Sequence, residues 1–425
     1  MRLVELRCAD YAVVALHEPK EASSMKVGAD PAVRVLMLGP LPPPVGGMAT
    51  VVANLADAFA NPGDSFGQTP DRVAAPQPAA ACAAVSRPIA LRLLNNVKTT
   101  AEGRSLWQGI AAQLRLLRRL ASICIGWRPH LVHIHTCSWF SFWRSAVDLL
   151  LARVLLCPVV LHIHGAQFHR FLDSLSAPHA WLARRVFALS NRIIVLGDGW
   201  KQVLDGWADL AKVVVVPNGV PVQTPIHDPV RDLELDPIRA ADAPFRIICL
   251  ANYEARKGQA DLLRAAARLD GGRPVQVLLF GFEAEPGQRQ ALLALAAELG
   301  IAERVEVPGP VTGAEKERSL RGAQCFCLPS YDEGLPMSML EAMALALPVV
   351  VTAVGAIPEA VVDGEQGLLY PPGDLDALSA HLQALADDPA LAARIGWAGR
   401  ERLISSFSLE RSVSLLAGVY RALAG

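Results

Sequence analysis

The sequence predicts an α/β protein built from two doubly wound, Rossmann-like parallel-sheet domains facing a central cleft. Three observations predict it. Short apolar runs alternate with longer stretches whose apolar residues recur at helical spacing, the rhythm of strand, crossover helix, strand. That rhythm runs twice, on either side of a polar, proline-bearing stretch at 221–243. The 425 residues are 52% hydrophobic and 19% charged, enough to fill two cores and too apolar for a disordered chain.

Taken in order, residues 1–32 show no clear period and read as an N-terminal extension, with Met25 an alternative start. Residues 33–39 (VRVLMLG) form a short apolar run ending in glycine, as a buried parallel strand should. A proline-rich segment at 41–45, the pair Gly46-Gly47 and a helical period over 49–60 follow, giving strand, glycine turn, helix. Residues 61–100, rich in Pro, Ala and Gln, read as loops. A helix is expected over 106–125, strands over 131–135 and 159–164 with a helix at 138–156 between them, and strands over 192–196 and 212–216. The string VPNGV at 216–220 ends this half, so 33–225 is the first domain and 226–243 the linker. The second domain, 244–405, repeats the pattern. Its strands are expected at 245–250, 275–280, 305–307, 323–328 and 349–352. Its helices are expected at 258–269, 288–299, 314–321, 337–346 and 375–386. A last helix over 409–423 closes the chain in segment 406–425. Alternation of this kind implies parallel strands with right-handed crossovers, and places a ligand at the carboxyl ends of the strands.

The net charge of −1 hides an asymmetry: residues 1–225 carry 22 Lys and Arg against 14 Asp and Glu, and the remainder 18 against 27. A basic first half fits a polyanionic partner, an anionic bilayer or a lipid-linked pyrophosphate, or else an ordinary solvated surface. The same two readings apply to the 106–125 helix with its Arg115, Arg118 and Arg119: peripheral contact with an anionic membrane, or a plain amphipathic surface helix. No nucleic-acid partner is expected. The eight cysteines include no CxxC pair and sit mostly in apolar runs, which reads as free thiols in a reducing compartment. Glu5, Arg7 and Asp10 interrupt any signal peptide, and the longest apolar run, 139–164, is broken by Arg144, Asp148, Arg153 and Pro158. The expected location is cytoplasmic, with the inner membrane face as the place of any peripheral contact.

The chemistry concentrates in 329–359, PSYDEGLPMSMLEAMALALPVVVTAVGAIPE. Glu333 and Glu341 lie eight residues apart, Glu333 in a loop and Glu341 on the helix that Pro336 introduces. At 1.5 Å per residue the helical part of that spacing is at most about 12 Å, the reach from a nucleoside to a sugar across a diphosphate. The helix N-terminus between the carboxylates offers N–H groups and the positive dipole end to phosphate, and carboxylates accept directed hydrogen bonds from sugar hydroxyls.

In its flanks, EGLPxxxLEAMAxxxPVVxTxVGxxPE, this pair resembles the signature of the retaining GT-B glycosyltransferases of family 4, glycosyl transferases group 1. The resemblance runs from about Val33 to the C-terminus and takes in Gly46-Gly47, His164-Gly165, VPNGV, Lys257-Gly258 and LLYPPGD at 368–374. It implies a sugar moved from a nucleoside-diphosphate donor to a glycan or lipid-linked acceptor, for polysaccharide biosynthesis. It implies no cofactor and no metal at the donor site. Glu341 would bind ribose hydroxyls and Glu333 the donor sugar. Lys257, with backbone N–H groups near Gly334 and Leu335, would neutralise the leaving diphosphate. His164 would stand beside the transferred sugar, and Gly46 and Gly47 would admit phosphate or acceptor close to the backbone. The donor phosphate, not a protein nucleophile, would take the acceptor proton. Two departures stand out. Ala251-Asn252 replaces the usual Gly-Arg, so the cation expected at Asn252 would come from Arg256 instead. Gly281-Phe282-Glu283 lacks a second glycine, and with Pro308-Gly309 it would shape the base pocket.

His133, His135, His162 and His164 form two HxH pairs, each on one face of a strand. A metal-dependent hydrolase is therefore an alternative, though no acidic ligand set accompanies them; the preferred reading keeps His164 functional and the others structural. A non-catalytic nucleotide-sugar binding protein is the other alternative, since the usual arginine is absent at Asn252. Asp374-Leu375-Asp376 resembles a metal-binding DxD but starts a helix, where capping is expected. Cys325-x-Cys327 reads as strand packing.

Overall fold

The near-continuous apolar runs of the sequence become the central strands of two sheets. The computed structural model describes residues 13–15, 32–42, 46–60, 87–97, 105–222, 244–270 and 273–425. Most of the expected extension, segment 43–45 and the expected linker 226–243 lie outside them.

The chain divides into two units, Met1–Pro217 with Leu409–Gly425, and Asn218–Ser408. The first holds a sheet of seven strands: β1 (Val13–Ala15), β2 (Val33–Gly39), β3 (Ile89–Asn95), β4 (Leu131–Thr136), β5 (Val159–Ile163), β6 (Arg192–Val195) and β7 (Val213–Val215). Their order is β1-β3-β2-β4-β5-β6-β7, all parallel except β1, which runs antiparallel to β3 at the edge. The second unit holds six parallel strands: β8 (Phe245–Leu250), β9 (Val275–Phe280), β10 (Val305–Gly309), β11 (Cys325–Leu328), β12 (Val349–Thr352) and β13 (Leu368–Tyr370), in the order β10-β9-β8-β11-β12-β13. In each sheet the first central strand has its successors on opposite sides. The order reverses between β2 and β4 in one and between β8 and β11 in the other, and those reversals are where loops leave room for a ligand.

Several elements depart from expectation. β3 lies inside the stretch 61–100 read as loops; its Leu91, Leu93 and Leu94 are buried, a strand pattern that the Pro- and Ala-rich flanks obscure. β1 falls within the expected extension. β13 is only three residues long, too short to register as a period. The helix Pro389–Ser406 carries buried Arg400, whose guanidinium donates to the Ala344 carbonyl, and that charge breaks its apolar face. The units part at residue 217 rather than 225. Asn218 donates to the Leu335 carbonyl at 2.9 Å and Val220 pairs with Ser408, which ties this segment to the second unit. The last helix, Leu409–Ala424, packs in the first unit against the helix Gly47–Ala60 and strands β2 and β4.

Candidate active site

In the second unit, the site forms at the β8/β11 reversal because two loops are zipped together there. After β8, Gln259 Nε2 donates to the carbonyls of Ala251 (3.3 Å) and Asn252 (2.8 Å), fixing the strand exit. The chain then makes a single 3₁₀ turn, Ala255–Lys257. Gly258 follows at φ +70°, and a Cβ there would stand 2.0 Å from the Pro329 carbonyl oxygen, so only glycine allows the approach. Tyr331 N–H donates to the Arg256 carbonyl at 2.8 Å, closing the zip.

This places Lys257 Nζ 2.6 Å from Glu333 Oε1, with side chains 14% and 8% exposed. The fully buried Ser330 donates to the same oxygen at 2.8 Å, and its own carbonyl accepts from Thr352 Oγ1. The far side of the Glu333 loop is braced by Gly355. Its φ is +58°, a Cβ would stand 2.0 Å from the Glu333 carbonyl oxygen, and the next N–H, of Ala356, donates to the Gly334 carbonyl at 2.8 Å. Leu335 follows, and the helix Met337–Ala344 begins with no side-chain cap on its first N–H groups.

Glu341, on that helix, pairs with Lys316 at 2.6 Å. Arg256 pairs with Glu254 at 2.5 Å and reaches the Asp332 carbonyl at 3.5 Å, which holds it beside the Glu333 loop. Asn252 is exposed at the end of β8. Gly309 ends β10 at φ +107°, its N–H donating to Tyr253 Oη and its carbonyl accepting from Gly281 N–H. Lys257, Glu333, Gly334, Leu335 and Arg256 are thus brought together. The structure adds three partners that the motif reading does not single out, Ser330, Lys316 and Gly355. Ser330 and Gly355 stand inside the motif stretch, whereas nothing in the polar helix Gly313–Arg321 singles out Lys316.

In the first unit the four histidines gather on one face of β4 and β5. His133 Nδ1 meets Tyr420 Oη of the last helix at 2.6 Å and its Nε2 meets His162 Nδ1 at 3.2 Å; His135 Nδ1 meets His164 Nε2 at 2.8 Å. Burial, with no carboxylate at hand, keeps all four imidazoles neutral: His133 and His164 are lowered to about 3, His135 and His162 well below the usual range. His164 sits just beyond the end of β5, half-buried. One nitrogen each of His133, His135 and His162 lie within 4.8 Å of one another, so these three are the described residues that could hold a metal ion. Both nitrogens of His133 are already engaged, however, and the group contains no carboxylate or thiolate. Gly46 and Gly47 start the helix Gly47–Ala60 with open space where a Cβ would stand. Asp374 caps the helix Leu375–Asp387 by accepting from Ala377 N–H at 2.9 Å, and Asp376 pairs with Arg268. Cys325 and Cys327 are buried in β11.

Two family models match the chain, "Glycosyl transferases group 1" over residues 231–402 and "Glycosyltransferase Family 4" over 45–224. The chain belongs to this glycosyltransferase family. A Mycolicibacterium hassiacum MMP alpha-(1->4)-mannosyltransferase is 36% identical over 177 residues, 41% of this chain and 42% of that relative, so the match spans less than half of the relative's length. Among solved structures, sucrose-phosphate synthase from Thermosynechococcus elongatus superposes with a TM-score of 0.70 at 21% identity, over 92% of this chain and 98% of that one. Anabaena HepE, in complex with UDP-glucose, gives 0.64 at 17% identity over 91% and 98%. The fold of this family-4 chain is that of the GT-B glycosyltransferases, two Rossmann-like α/β units.

Proposed function

We propose that this chain moves a hexose-type sugar from a nucleoside-diphosphate donor to a glycan or lipid-linked acceptor, with retention of the donor's anomeric configuration. The observation that carries the reading is the Lys257–Glu333 pair at the β8/β11 reversal, braced by Ser330 and followed at once by an uncapped helix N-terminus. HepE holds UDP-glucose, and a donor of that class fits this constellation. Lys257 and the first N–H groups of the helix neutralise the departing diphosphate, with Arg256 as the second cation in place of Asn252. Glu333 accepts hydroxyls of the sugar. Lys316 holds one oxygen of Glu341, and the other accepts a ribose hydroxyl. Catalysis then comes from positioning and charge stabilisation, with no metal or cofactor at the donor site.

His164 acts in this scheme as a hydrogen-bond donor. One proton lies between His135 Nδ1 and His164 Nε2. If His164 supplied it, His135 Nε2, which is buried without a partner among the described residues, would be an unsatisfied N–H. A bare buried ring nitrogen costs less than an orphaned N–H. So His135 donates, and His164 carries its proton on Nδ1, suited to a sugar hydroxyl and unsuited to acting as base. That leaves the acceptor proton to the donor phosphate.

The test is a thermal-shift screen against UDP, GDP, ADP, TDP and their sugar conjugates, with and without EDTA. A ligand that binds only the folded state raises Tm, by about 2.7 kcal/mol of stabilisation at a hundredfold excess over Kd. The expected result is a selective, EDTA-insensitive shift that Glu341→Ala abolishes. A shift seen only with metal, and none with any nucleotide, would overturn the transferase reading.

A further inference from the structure

We infer that one face of the first unit docks on an anionic lipid bilayer. Three neighbouring helices form it: Leu106–Trp127, Phe140–Val154 and Ala177–Leu189. They lie side by side. Gln113 of the first donates to Asp148 of the second at 2.8 Å, and Phe142 of the second packs on Phe187 of the third with ring centroids 5.6 Å apart. Each helix buries one stripe: Ala112, Leu116, Leu120 and Cys124 on the first, Phe142, Ser145, Leu149 and Ala152 on the second, Ala180, Ala183, Val186 and Phe187 on the third.

A surface helix should be polar on the opposite side. These carry large apolar residues there beside their arginines. At 100° per residue, Trp107 and Leu114 fall opposite the buried stripe of the first helix, Leu150 and Val154 opposite that of the second, and Trp181 opposite that of the third. Trp107 is 78% exposed and Val154 68%. Large exposed apolar side chains on three adjacent helices mark an interaction site, and exposed tryptophan beside arginine is the chemistry of the lipid headgroup boundary.

Charge decides which partner. Arg115 and Arg118 on the first helix and Arg184 and Arg185 on the third are exposed, with Arg185 stacked over Trp181 at 5.1 Å. The sole carboxylate on the three helices, Asp148, is fully buried. A second copy of this chain, meeting the face about a twofold axis, would set arginine against arginine with no carboxylate between them. Anionic lipid answers both the charge and the apolar area. None of the described helices is long and apolar enough to cross a membrane, so the contact is peripheral. It deepens the proposed function, on which it rests only for the acceptor: a lipid-linked acceptor would be met at this surface.

The experiment is co-sedimentation of the full chain with phosphatidylcholine vesicles, with and without phosphatidylglycerol, at low and high salt. Binding is expected only with phosphatidylglycerol, and high salt should weaken it. The double variant Arg118→Glu/Arg185→Glu should lower partitioning by about tenfold or more. Trp107→Ser/Leu150→Ser should lower it similarly, while the nucleotide-induced thermal shift is kept. No partition into anionic vesicles overturns the inference. So does a dimer of the parent chain that Trp107→Ser/Leu150→Ser converts to monomer. Either result leaves the donor-site reading standing, because that is read by the nucleotide shift.

Discussion

Each sheet reverses its strand order beside its first central strand, β2 in one and β8 in the other, yet the two regions handle burial of polar groups oppositely. At the β8/β11 reversal the groups are paired with partners of opposite sign: Lys257 with Glu333, Lys316 with Glu341, Arg256 with Glu254. At β4 and β5 four imidazoles, three buried and His164 half-buried, have no counter-charge among the described residues and are held neutral. What differs is a partner of opposite sign within hydrogen-bond distance, because burial without one drives a group to its neutral form. The difference teaches where a polyanion can be received. A donor diphosphate needs cations already in place, which the second unit supplies. The first unit offers neutral donors and acceptors suited to hydroxyl groups.

Breaking the pair should give the largest effect. Lys257→Ala is expected to lower kcat by about 10²–10³-fold, the loss seen when one stabilising donor to a developing negative charge is removed. It should also destabilise the fold by about 3 kcal/mol, since Glu333 is left buried with Ser330 as its one side-chain partner among the described residues. Lys257→Met combined with Glu333→Gln should recover much of the melting temperature and none of the turnover. Initial rates and thermal melts of the three proteins separate the two contributions. Turnover that survives in Lys257→Ala would remove the lysine from the leaving-group role.

That pair shows how far the sequence could be read. Lys257 and Glu333 were legible because each sits in a motif whose flanks name it. Arg256 stands next to Lys257 in the sequence, and in the structure it pairs with Glu254 and reaches the Asp332 carbonyl. Lys316 and Tyr420 were not, because each reaches its partner, Glu341 or His133, only through tertiary packing. Strands with continuous apolar runs, such as β2, could be read directly, whereas β3 and β13 could not. β3 is embedded among Pro and Ala, and β13 has three residues, too few for any period to show. The buried arginine of Pro389–Ser406 hid a helix for the opposite reason: its charge is satisfied by a carbonyl that no local pattern reveals.

Glycine sharpens the comparison on a smaller scale. Gly355 and Gly46 both stand in motif loops, one in each unit. Gly355 has φ +58° and no room for a Cβ, while Gly46 has open space. Gly355→Ala should therefore cost about 2 kcal/mol, from left-handed strain of about 1 kcal/mol and the overlap with the Glu333 carbonyl, and should weaken donor binding as that loop shifts. Gly46→Ala should change stability by less than about 0.5 kcal/mol. Urea denaturation of both variants checks the contrast, and equal losses at the two positions would mean that the Gly355 contact does not brace the loop.

The neutral histidines make the first unit the acid-sensitive one. Their folded pKa values lie below the ordinary 6.5, so as pH falls below 6.5 the unfolded chain binds protons that the folded chain refuses. Stability present above pH 6.5 is then lost progressively toward about pH 3 for His133 and His164, by up to about 1.4 kcal/mol per pH unit for each histidine. Amide exchange in β4 should accelerate between pH 6.5 and 4 more than exchange in β11, after correction for intrinsic rates. Asp148 acts in the opposite sense. Burial raises its carboxyl to about 7, so its contribution is complete below the ordinary 3.8 and is lost as pH rises toward 7. Asp148→Asn, which keeps an oxygen for Gln113 Nε2, should therefore stabilise by about 1–2 kcal/mol at pH 8 and by nothing at pH 3. A stabilisation independent of pH would mean that Asp148 is protonated at every pH tested or solvated at all of them, and that the acid response of the unit belongs to the histidines alone.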